Sequence, residues 1–398
     1  MSKRIIEHKD IIMVGQQPWD VGIGSNCKDI ALEFSKNNRV LYVNSPLDRI
    51  SSIRDRKDPR IQKRLNVIKG KEKGLIQLQP NLWTLYPDCI VESVNWIPVD
   101  FVFDWINKLN AKKFAASIKK ALKELNFRDY LLFNDNEIMK CFYLKELLQP
   151  QKSIYYSRDY ILATDYWKKR GERLEPIVIA NSDLCVANSA YLTDYCKKYN
   201  PRAYYVGQGC ELEIFQKEVY EKPEELKQIP YPVIGYVGAL LGNRLDIEVI
   251  THIAQQKPDW NIVLVGPEDE SFKNSRLHYL KNVFFTGSKP AKQLPDYINA
   301  FDVCINPQII NELTIGNYPR KIDEYLAMGK PVVATKTKAM EIFKAYAHLA
   351  DGKEDYISVI EKALEENYEI SAQQRKAFAA THTWENSVAE IYKSISLS

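Results

Sequence analysis

The sequence predicts an α/β protein built from two doubly wound, Rossmann-like domains. Short apolar runs that resemble buried strands alternate with helical patterns along its 398 residues, and this alternation occurs twice. Alternation of this kind is typical of parallel sheets with helices on both faces. We expect the first domain to cover residues 1–216 and the second to cover residues 217–382. Residues 217–232, which are charged and contain prolines, form the predicted linker.

The first half opens with an apolar run at residues 11–15, followed by a polar loop that contains Gly22 and Gly24. Such glycines let a backbone approach a ligand closely, although a plain turn before the next helical pattern, at residues 28–36, explains them equally well. Later strands are predicted at residues 40–43, 82–86, 130–133, 153–156, 184–187 and 203–206. The longest helical pattern between these strands covers residues 100–125.

The second half repeats this order, beginning with a strand at residues 233–237 and a helix at residues 246–256. Further strands are predicted at residues 262–265, 283–285, 303–305 and 331–334. Another helix is expected to begin near Pro319, because the missing N–H of proline is tolerated at a first helical position. Doubly wound domains bind ligands at the carboxyl ends of their strands, so we expect the site in the cleft between the two domains.

Composition excludes several classes of protein. The formal net charge of +4 is too small to indicate nucleic acid as a partner. There is no apolar run long enough for a transmembrane helix, and the first ten residues lack the apolar core of a signal peptide. The seven cysteines form no CxxC pair, which favours buried free thiols in a reducing cytosol. The five histidines show no metal-ligand spacing, so we expect a cytoplasmic protein without a metal or another cofactor.

One stretch, residues 49–73, interrupts the α/β order with ten basic and three acidic residues. Its structural interpretation is a solvated surface excursion. Its functional interpretation is a basic face for an anionic acceptor or for the inner face of a membrane, which the protein would contact peripherally. The aromatic stretch from Trp96 to Trp105 is expected to be buried in the core, and the alternative is an aromatic anchor beside the basic face.

The clearest chemistry lies in the region of residues 282–335. A polar loop at residues 311–317 leads into the helix near Pro319, and the first N–H groups of a helix attract anions. Lys321 lies in the first turn, and Glu324 follows on roughly the same face. An anion site, a cation and a carboxylate together suit a nucleotide diphosphate and its ribose. The alternative is an ordinary α/β loop with a solvated Lys–Glu pair.

Several motifs carry a resemblance to a known family. They read VANSAYLTDYCKKYN, AYYVGQGCELEIF, GYVGALLGNRLDIEVI, NVFFTG, FDVCINP, KIDEYLAMGKPVVAT and FAATHTWENSVAEIYKSI. With these motifs the chain resembles the GT-B glycosyltransferases of the retaining family four, and more narrowly the bacterial enzymes of teichuronic acid and capsule synthesis. Gly209, Glu211 and Phe215 occupy matching places, and Trp384 has the expected place in the terminal helix. The resemblance implies that residues 383–398 cross back onto the first domain and complete it.

The resemblance also implies charged and hydrogen-bonding roles in a donor site. Arg244 and Lys321 would bind the diphosphate of a nucleotide sugar, since fixed cations stabilise a phosphate leaving group. Glu324 would accept hydrogen bonds from the ribose hydroxyls. The backbone of the loop before the helix would supply N–H donors from Ile315, Gly316, Asn317 and Tyr318.

Other positions would surround the donor without contributing a charge. The nucleotide base would lie near the loop at residues 285–288, which includes Phe285 and Gly287. Gly238 begins the Gly loop of the second domain, and Gly22 and Gly24 of the first domain would let the backbone approach the sugar and the diphosphate.

Two aspartates at predicted strand ends are candidates in the first domain. Asp159 lies where related enzymes have an aspartate that faces the cleft, and Asp135 is a second candidate. Either residue would orient acceptor or donor hydroxyls, and the alternative role for each is to cap a helix.

The chain departs from the family pattern at two positions. The family often has two glutamates separated by seven residues, and Gly316 stands where the first would fall, with Glu312 as a nearby substitute. Ala239 stands where the family usually has an arginine after the first glycine of the donor domain.

From the resemblance we expect a metal-independent, retaining glycosyltransferase that uses a nucleotide diphosphate sugar, with UDP favoured, and a glycan or lipid-linked acceptor in cell-surface polysaccharide synthesis. Retention would arise from front-face attack, with the leaving phosphate taking the acceptor proton. One alternative is a nucleotide-sugar epimerase of the same fold, for which His252 and His278 are the candidate acid–base groups. The other is a non-catalytic glycan-binding relative, which the departures at Ala239 and Gly316 favour.

Overall fold

The computed structural model describes residues 6–21, 24–217 and 219–398. The chain forms two compact units: the first comprises Met1–Gly207 and Ser387–Ser398, and the second comprises Gln208–Asn386. Each unit contains a parallel sheet covered by helices, which confirms the predicted fold class. The predicted linker is not an extended segment, because Leu226 and Ile229 within it are buried in the core of the second unit.

The first unit is built on a sheet of eight strands. The strands of this unit, including two outside the main sheet, are β1 (Asp10–Gly15), β2 (Arg39–Val43), β3 (Leu47–Asp48), β4 (Leu75–Gln79), β5 (Leu82–Leu85), β6 (Ile90–Val91), β7 (Leu131–Asp135), β8 (Lys152–Ser157), β9 (Leu184–Ala187) and β10 (Ala203–Tyr205). The order in the sheet is β10-β9-β8-β7-β1-β2-β5-β4, and β3 pairs separately with β6. The edge strand β4 is antiparallel to β5 and was not predicted, because its mixed polar and apolar residues are largely exposed.

The helices of the first unit follow the predicted alternation. They are α1 (Asn26–Ser35), α2 (Arg49–Arg54), α3 (Pro59–Ile68), α4 (Asp100–Leu125), α5 (Leu144–Leu148), α6 (Asp165–Asn181) and α7 (Ala190–Lys197). Helix α4 has the predicted bounds and ends at Asn126, which adopts the left-handed conformation at φ 52° that terminates helices. The basic stretch at residues 49–73 holds α2 and α3, whose N-termini are capped by the carboxylates of Asp48 and Asp58.

The second unit is built on a sheet of six parallel strands. They are β11 (Val233–Val237), β12 (Asn261–Val265), β13 (Val283–Gly287), β14 (Val303–Asn306), β15 (Val332–Thr335) and β16 (His348–Ala350), in the order β13-β12-β11-β14-β15-β16. Its helices are α8 (Ile247–Gln256), α9 (Glu270–Lys273), α10 (Leu294–Asn299), α11 (Arg320–Ala327), α12 (Asp355–Glu365) and α13 (Tyr368–Ala379), and the last helix, α14 (Trp384–Leu397), begins in this unit and continues in the first. Across both units, short 3₁₀ turns lie at Ile161–Ala163, Glu213–Phe215, Glu224–Leu226, Arg276–Tyr279, Ala291–Gln293 and Lys338–Phe343.

Side chains that alternate along the strands of the second sheet fill two cores, one on each face. Val263 and Val265 of β12 contact the face that α10 and α11 cover. Ile262 and Leu264 of the same strand belong to the core that includes α8 and α12. A strand covered on both faces is apolar throughout, which is why the parallel strands were recognisable as short apolar runs.

The end of the chain belongs to the first unit, as the resemblance implies for the terminal helix. From Ser387 onward, α14 packs in that unit. The hydroxyl of Tyr392 accepts a hydrogen bond from Nδ2 of Asn38 over 2.9 Å, and its ring stacks on Phe34 at a centroid distance of 5.4 Å. These contacts hold the last helix against α1 and the start of β2.

We predict that Gly235→Ala destabilises the second unit. A Cβ added at Gly235 would lie 2.1 Å from Cδ2 of the buried Phe301, and overpacking of this kind costs roughly 1–3 kcal/mol. The control is Gly352→Ala, where no described atom lies within 4 Å of the added Cβ. Urea unfolding should show a lower free energy of unfolding for Gly235→Ala and a change below about 1 kcal/mol for Gly352→Ala. Equal free energies of unfolding for both variants would contradict the packing described for β11.

Candidate functional site

The loops that follow β11 and β14 meet at the topological switch of the second sheet. These two strands are neighbours, and the chain leaves them in opposite directions, through β12 to β13 on one side and through β15 to β16 on the other. Doubly wound sheets bind ligands at the carboxyl ends of the strands at such a switch. Gly238, Arg244 and the loop at residues 315–318 lie in these two connections, and Lys321 lies in the first turn of α11.

Two glycines let the loop after β11 lie against the loop after β12. Gly238 has a φ of 142° and donates its N–H to the carbonyl of Val265 over 2.9 Å. Gly266 has a φ of 150°, and a Cβ there would lie 1.9 Å from the carbonyl oxygen of Gly238. Residues with a side chain rarely adopt these φ values, and here there is no space for one. The loop that Gly238 begins is therefore fixed by close backbone contact.

The ammonium of Lys321 lies beside this loop. A Cβ at Gly238 would lie 3.3 Å from Nζ of Lys321, and Nζ lies 4.9 Å from the centre of the Tyr236 ring. The face of a tyrosine ring attracts a cation without neutralising it. Within the described parts of the chain, Lys321 forms no ion pair with Glu324 or with another carboxylate. The solvated Lys–Glu ion pair of the alternative interpretation is therefore not formed, and Lys321 stays a candidate for binding an anion.

Asn311 organises the loop after β14. Its Oδ1 accepts a hydrogen bond from the N–H of Thr314 over 3.0 Å, and its Nδ2 donates to the carbonyl of Asn243 over 3.0 Å. The N–H of Ile309 donates to the carbonyl of Arg244 over 2.9 Å. These bonds join the loop after β14 to the loop that carries Arg244.

Two of the backbone donors expected at residues 315–318 are already used within this loop. The N–H of Ile315 donates to the carbonyl of Asn311 over 2.9 Å, and the N–H of Asn317 donates to the carbonyl of Thr314 over 3.0 Å. The expectation of free donors is wrong for these two residues, because the loop turns tightly enough to satisfy its own amides. This loop therefore has fewer free N–H donors than the sequence suggested.

Arg244 is half-buried in the connection between β11 and α8. Two N–H groups at the start of α8 are already used, because the carboxylate of Asp246 accepts hydrogen bonds from Glu248 and Val249 over 2.9 and 3.2 Å. A helix start capped by its own aspartate is a weak site for a second anion. Arg244 is therefore the group of this connection that is suited to phosphate oxygens.

Glu324 lies one turn after Lys321 on α11, which begins at Arg320, directly after Pro319. The side chain of Glu324 is half-buried. Burial raises the pKa of this carboxyl above its ordinary value, against the opposing effect of the charges on Lys321 and Arg320. A carboxylate in this position can accept hydrogen bonds from neutral hydroxyl groups.

Asp323, beside Glu324, holds a buried polar cluster that the sequence reasoning missed. Its carboxylate accepts hydrogen bonds from the hydroxyl of Tyr318 over 2.8 Å, from Nδ1 of His382 over 2.5 Å and from Sγ of Cys210 over 3.3 Å. Burial and the nearby charge of Asp323 raise the pKa of the Cys210 thiol well above its usual range. The cluster ties α11 to the loop before it and to the segment before α14.

A sequence signal for Asp323 was present. It lies among the apolar residues Ile322, Tyr325 and Leu326, which helical spacing puts on one face of α11. A carboxylate on that face must be buried, and a buried carboxylate needs donors. The identity of the donors was not available from the sequence, because Cys210 and His382 lie far away along the chain.

Phe285 and Gly287 lie at the end of the edge strand β13. The ring of Phe285 stacks on His278 with centroids 4.0 Å apart, and Nε2 of His278 lies 2.8 Å from Oε2 of Glu268. Gly287 accepts a hydrogen bond from the N–H of Gly266 over 3.0 Å. One face of the Phe285 ring is thus occupied by His278, a partner that the sequence reasoning did not assign.

The first unit has a polar group at its own topological switch. β1 and β7 are neighbours there, and Gly15 is paired in register with Asp135. Nε of Arg158 donates to Oδ1 of Asp135 over 2.8 Å, and Nη1 donates to Oδ2 of Asp159 over 2.8 Å. Burial raises the pKa of Asp135, against the opposing charge of Arg158. Neither aspartate caps a helix, so the structural alternative proposed for them is wrong.

The remaining predicted positions are two glycines of the first unit, Glu312 and the two departures from the family pattern. Gly22 lies outside the described residues, and no described atom lies within 4 Å of a Cβ added at Gly24. Glu312, the candidate substitute for the absent glutamate, is exposed. Gly316 and Ala239, the two departures, contribute no side-chain charge to the loops around Lys321.

Membrane-spanning helices and metal centres are both absent from the described residues. No helix among them is long and apolar enough to cross a membrane. In the same parts of the chain, no group of three or more His, Cys, Asp or Glu residues is arranged to hold a metal ion.

Part of the second unit matches a known family model. Residues 231–366 match the family model described as Glycosyl transferases group 1. The chain is also similar to a protein of Bacillus subtilis (strain 168) described as a putative teichuronic acid biosynthesis glycosyltransferase, TuaH, with 29% identity over 246 residues. The aligned part covers 58% of this chain and 61% of the length of that relative. These matches confirm the resemblance to glycosyltransferases that the motifs predicted.

The structural similarity to solved proteins covers nearly the whole chain. Anabaena Alr3699/HepE in complex with UDP has a TM-score of 0.66 at 14% identity, covering 98% of this chain and 100% of that chain. Sucrose-phosphate synthase from Thermosynechococcus elongatus has a TM-score of 0.63 at 16% identity, covering 98% and 99%. An α,α-trehalose 6-phosphate synthase from Burkholderia multivorans has a TM-score of 0.67 at 9% identity, covering 98% of each chain. These likenesses confirm the predicted GT-B fold.

We predict that Asp323→Asn destabilises the second unit by about 1–3 kcal/mol, because at least one buried donor loses a charged acceptor. The control is Asp351→Asn, which removes an exposed ion pair with Lys336 (2.9 Å) and should change the free energy of unfolding by less than about 1 kcal/mol. Thermal and urea unfolding of both variants measure the difference. A wild-type free energy of unfolding for Asp323→Asn would show that the cluster does not hold α11 in place.

Proposed function

We propose that this protein is a glycosyltransferase that moves a sugar from a nucleotide diphosphate sugar to a hydroxyl of a glycan or lipid-linked acceptor. In this reaction the bond between the anomeric carbon and the phosphate oxygen breaks, and a bond from the same carbon to the acceptor oxygen forms. The acceptor proton passes to the leaving phosphate, so the products are a glycoside and a nucleoside diphosphate. The observation that carries the proposal is the unpaired cation of Lys321 beside the Gly238 loop, at the switch of a domain that matches Glycosyl transferases group 1.

The proposed roles follow from the charge that develops as the donor reacts. A leaving diphosphate accumulates negative charge, and fixed cations stabilise that charge without the cost of reorganising solvent. Arg244 and Lys321 are the cations of the switch loops suited to this task. We propose that they replace a divalent metal and that turnover continues in EDTA. Glu324 would accept hydrogen bonds from the ribose hydroxyls.

We further propose that the reaction retains the anomeric configuration by front-face attack. In that geometry the leaving phosphate itself accepts the acceptor proton, so no side-chain base is required at the sugar. Asp159 and Asp135, joined through Arg158, are proposed to orient hydroxyl groups in the first unit. A carboxylate whose charge is already shared with a guanidinium is better suited to orienting hydroxyls than to removing protons.

The substrate class is proposed from the proteins that share this fold. HepE forms a complex with UDP, which favours a UDP-sugar donor for this chain. TuaH is described as a putative enzyme of teichuronic acid biosynthesis, which favours a role in cell-surface polysaccharide synthesis. We also propose peripheral contact with a membrane through residues 49–73, supported by Ile53 and Trp96, which are 71% and 68% exposed.

The proposed donor site predicts nucleotide binding that depends on Lys321. UDP should raise the melting temperature of the wild-type protein in EDTA, since a ligand that binds the folded state stabilises it. Lys321→Ala should weaken UDP binding by on the order of tenfold or more, because a charge-assisted contact to phosphate is lost. The control is Lys281→Ala, which removes an exposed lysine of the same unit.

The measurement is a thermal-shift panel of UDP, GDP, ADP and their sugar conjugates, followed by isothermal titration of the ligand that binds. Wild-type affinity in Lys321→Ala would contradict the donor-site assignment. The absence of a shift with every nucleotide would contradict the proposed function. Release of an altered nucleotide sugar in the absence of an acceptor would indicate an epimerase instead.

The raised pKa of Glu324 predicts the pH dependence of nucleotide binding. Hydrogen bonds from ribose require the carboxylate, so this part of the affinity is present above the pKa of Glu324 and is lost as the pH falls through it. Because that pKa is raised, the loss begins at a higher pH than an ordinary glutamate would give. Glu324→Gln removes the titrating group, while protonation of the nucleotide affects both proteins equally. The ratio of the two dissociation constants for UDP, measured from about pH 5 to about pH 8, should change with pH. A constant ratio would exclude Glu324 from the ribose contact.

A further inference from the structure

Two cavities adjoin in the first unit, and residues from the connections that follow β1, β2 and β7 line them. One has a volume of about 600 Å³ and the other, which is more open, has a volume of about 1020 Å³. Asp48, Ser51, Arg54 and Lys140 are among the residues that line both, so the two spaces share a wall. The smaller volume alone is within the range of a small-molecule site.

The smaller cavity has an apolar floor. Val91, Val94, Phe114 and Met139 contribute to its lining, and Trp96 lies at its exposed rim. Val91, Phe114 and Met139 are 4%, 1% and 5% exposed, so the floor belongs to the packed interior of the unit. An apolar ligand that filled this space would gain stability from the hydrophobic surface that it buries.

The larger cavity is basic. Six basic and three acidic residues line it, and several of the basic groups are paired: Arg54 with Asp55, Arg60 with Asp58 and Arg64 with Asp20. Arg56, Lys57 and Lys140 form no ion pair within the described residues. Unpaired cations that line one cavity attract a phosphate group.

The surface beside the cavities is apolar in a way that the sequence reasoning did not expect. Trp96 is 68% exposed, and Phe101 and Trp105 of α4 are 80% and 60% exposed. The expected burial of this stretch is wrong for these residues. In α4 the helical period turns Phe101 and Trp105 outward while Phe103 is buried, and Trp96 lies in the turn before the helix, where Ile97 is buried instead. Exposed aromatic residues beside basic ones are typical of surfaces that meet lipid.

We propose that the two cavities bind one lipid phosphate, the anchored end of a lipid-linked acceptor, with the hydrocarbon chain in the smaller cavity and the phosphate in the larger. The role of this lipid as an acceptor rests on the proposed function, whereas its binding chemistry stands on the cavities. A free glycan has no apolar chain to fill the floor formed by Val91, Phe114 and Met139. Inorganic phosphate would fill the basic cavity and leave the apolar cavity empty.

The test measures binding of dodecyl phosphate to the full chain by isothermal titration, at concentrations below those at which it forms micelles. Dodecyl phosphate should bind at least tenfold more tightly than inorganic phosphate and than dodecyl maltoside, because only the first probe matches both cavities. Trp96→Ala should weaken binding on the order of tenfold, because the rim of the apolar cavity is removed. The combined variant Lys57→Gln with Lys140→Gln should weaken it by a similar factor.

Matched variants separate this site from a general attraction to lipid. Trp105→Ala removes an equally exposed tryptophan that does not line the cavities, and it should bind dodecyl phosphate as the wild type does. Lys112→Gln with Lys119→Gln removes two exposed charges of α4 and should also have no effect. Both tryptophan variants change exposed positions, and thermal unfolding checks that each variant folds.

Four results would overturn the proposal. Equal losses in Trp96→Ala and Trp105→Ala, or binding to phosphatidylglycerol vesicles without binding to dissolved dodecyl phosphate, would indicate only a membrane-facing surface. Equal binding of dihexanoyl phosphatidylglycerol and dodecyl phosphate would indicate a site for bulk phospholipid rather than for an acceptor. If inorganic phosphate binds as tightly as dodecyl phosphate, the apolar cavity does not contribute to binding.

UDP binding, measured in the same variants, keeps this test separate from that of the proposed function. All of the substituted residues lie in the first unit, whereas the proposed nucleotide contacts lie in the second. A variant that loses dodecyl phosphate binding but still binds UDP therefore tests the cavities alone. If the wild-type protein binds dodecyl phosphate but no nucleotide, the proposed lipid site is supported and the proposed glycosyltransferase function is contradicted.

Discussion

Both candidate sites depend on one geometric constraint: in a parallel sheet every strand ends at the same edge. Each crossover returns the chain behind the sheet, so the connections after the strands gather at the carboxyl edge. In the second unit this brings the Gly238 loop beside Lys321 and the Asn311 loop beside Arg244. In the first unit it puts Gly15 in register with Asp135. Residues that are distant in the sequence therefore become neighbours because of the sheet topology.

The charges at the carboxyl edge of the second sheet separate into two kinds. Asp323 is fully buried and accepts hydrogen bonds from three residues, so its charge is used to hold α11 and the flanking segments together. Lys321 lies near an aromatic ring and a glycine and forms no ion pair among the described residues. This difference between neighbouring side chains is the physical basis for the proposal that Lys321 binds an anion.

A corresponding separation occurs among the apolar residues of the first unit. Ile97 and Phe103 are buried, whereas Trp96, Phe101 and Trp105 are largely exposed, and Trp96 lines the apolar cavity. An amphipathic helix normally presents polar residues on its outer face. Phe101 and Trp105 of α4 depart from this pattern, since each is more than half exposed.

The sequence by itself determined the fold class and most of the strands, because buried parallel strands are short apolar runs that local composition reveals. It also determined which residue types stand at the start of α11, including Lys321 and Glu324. It did not predict the exposed edge strand β4 or the helices at residues 49–73. Mixed polar composition carries no clear period there, and the pairing with β5 comes from elsewhere in the chain.

Only the tertiary structure decided which of these residues act together. It separated Asp323 from Glu324, because the direction of each side chain depends on what packs against α11. In the folded chain the N–H groups of Ile315 and Asn317 donate hydrogen bonds within their own loop, and the side chain of Trp96 is exposed. Each of these outcomes depends on contacts between residues far apart in the chain, and a linear pattern contains no record of such contacts.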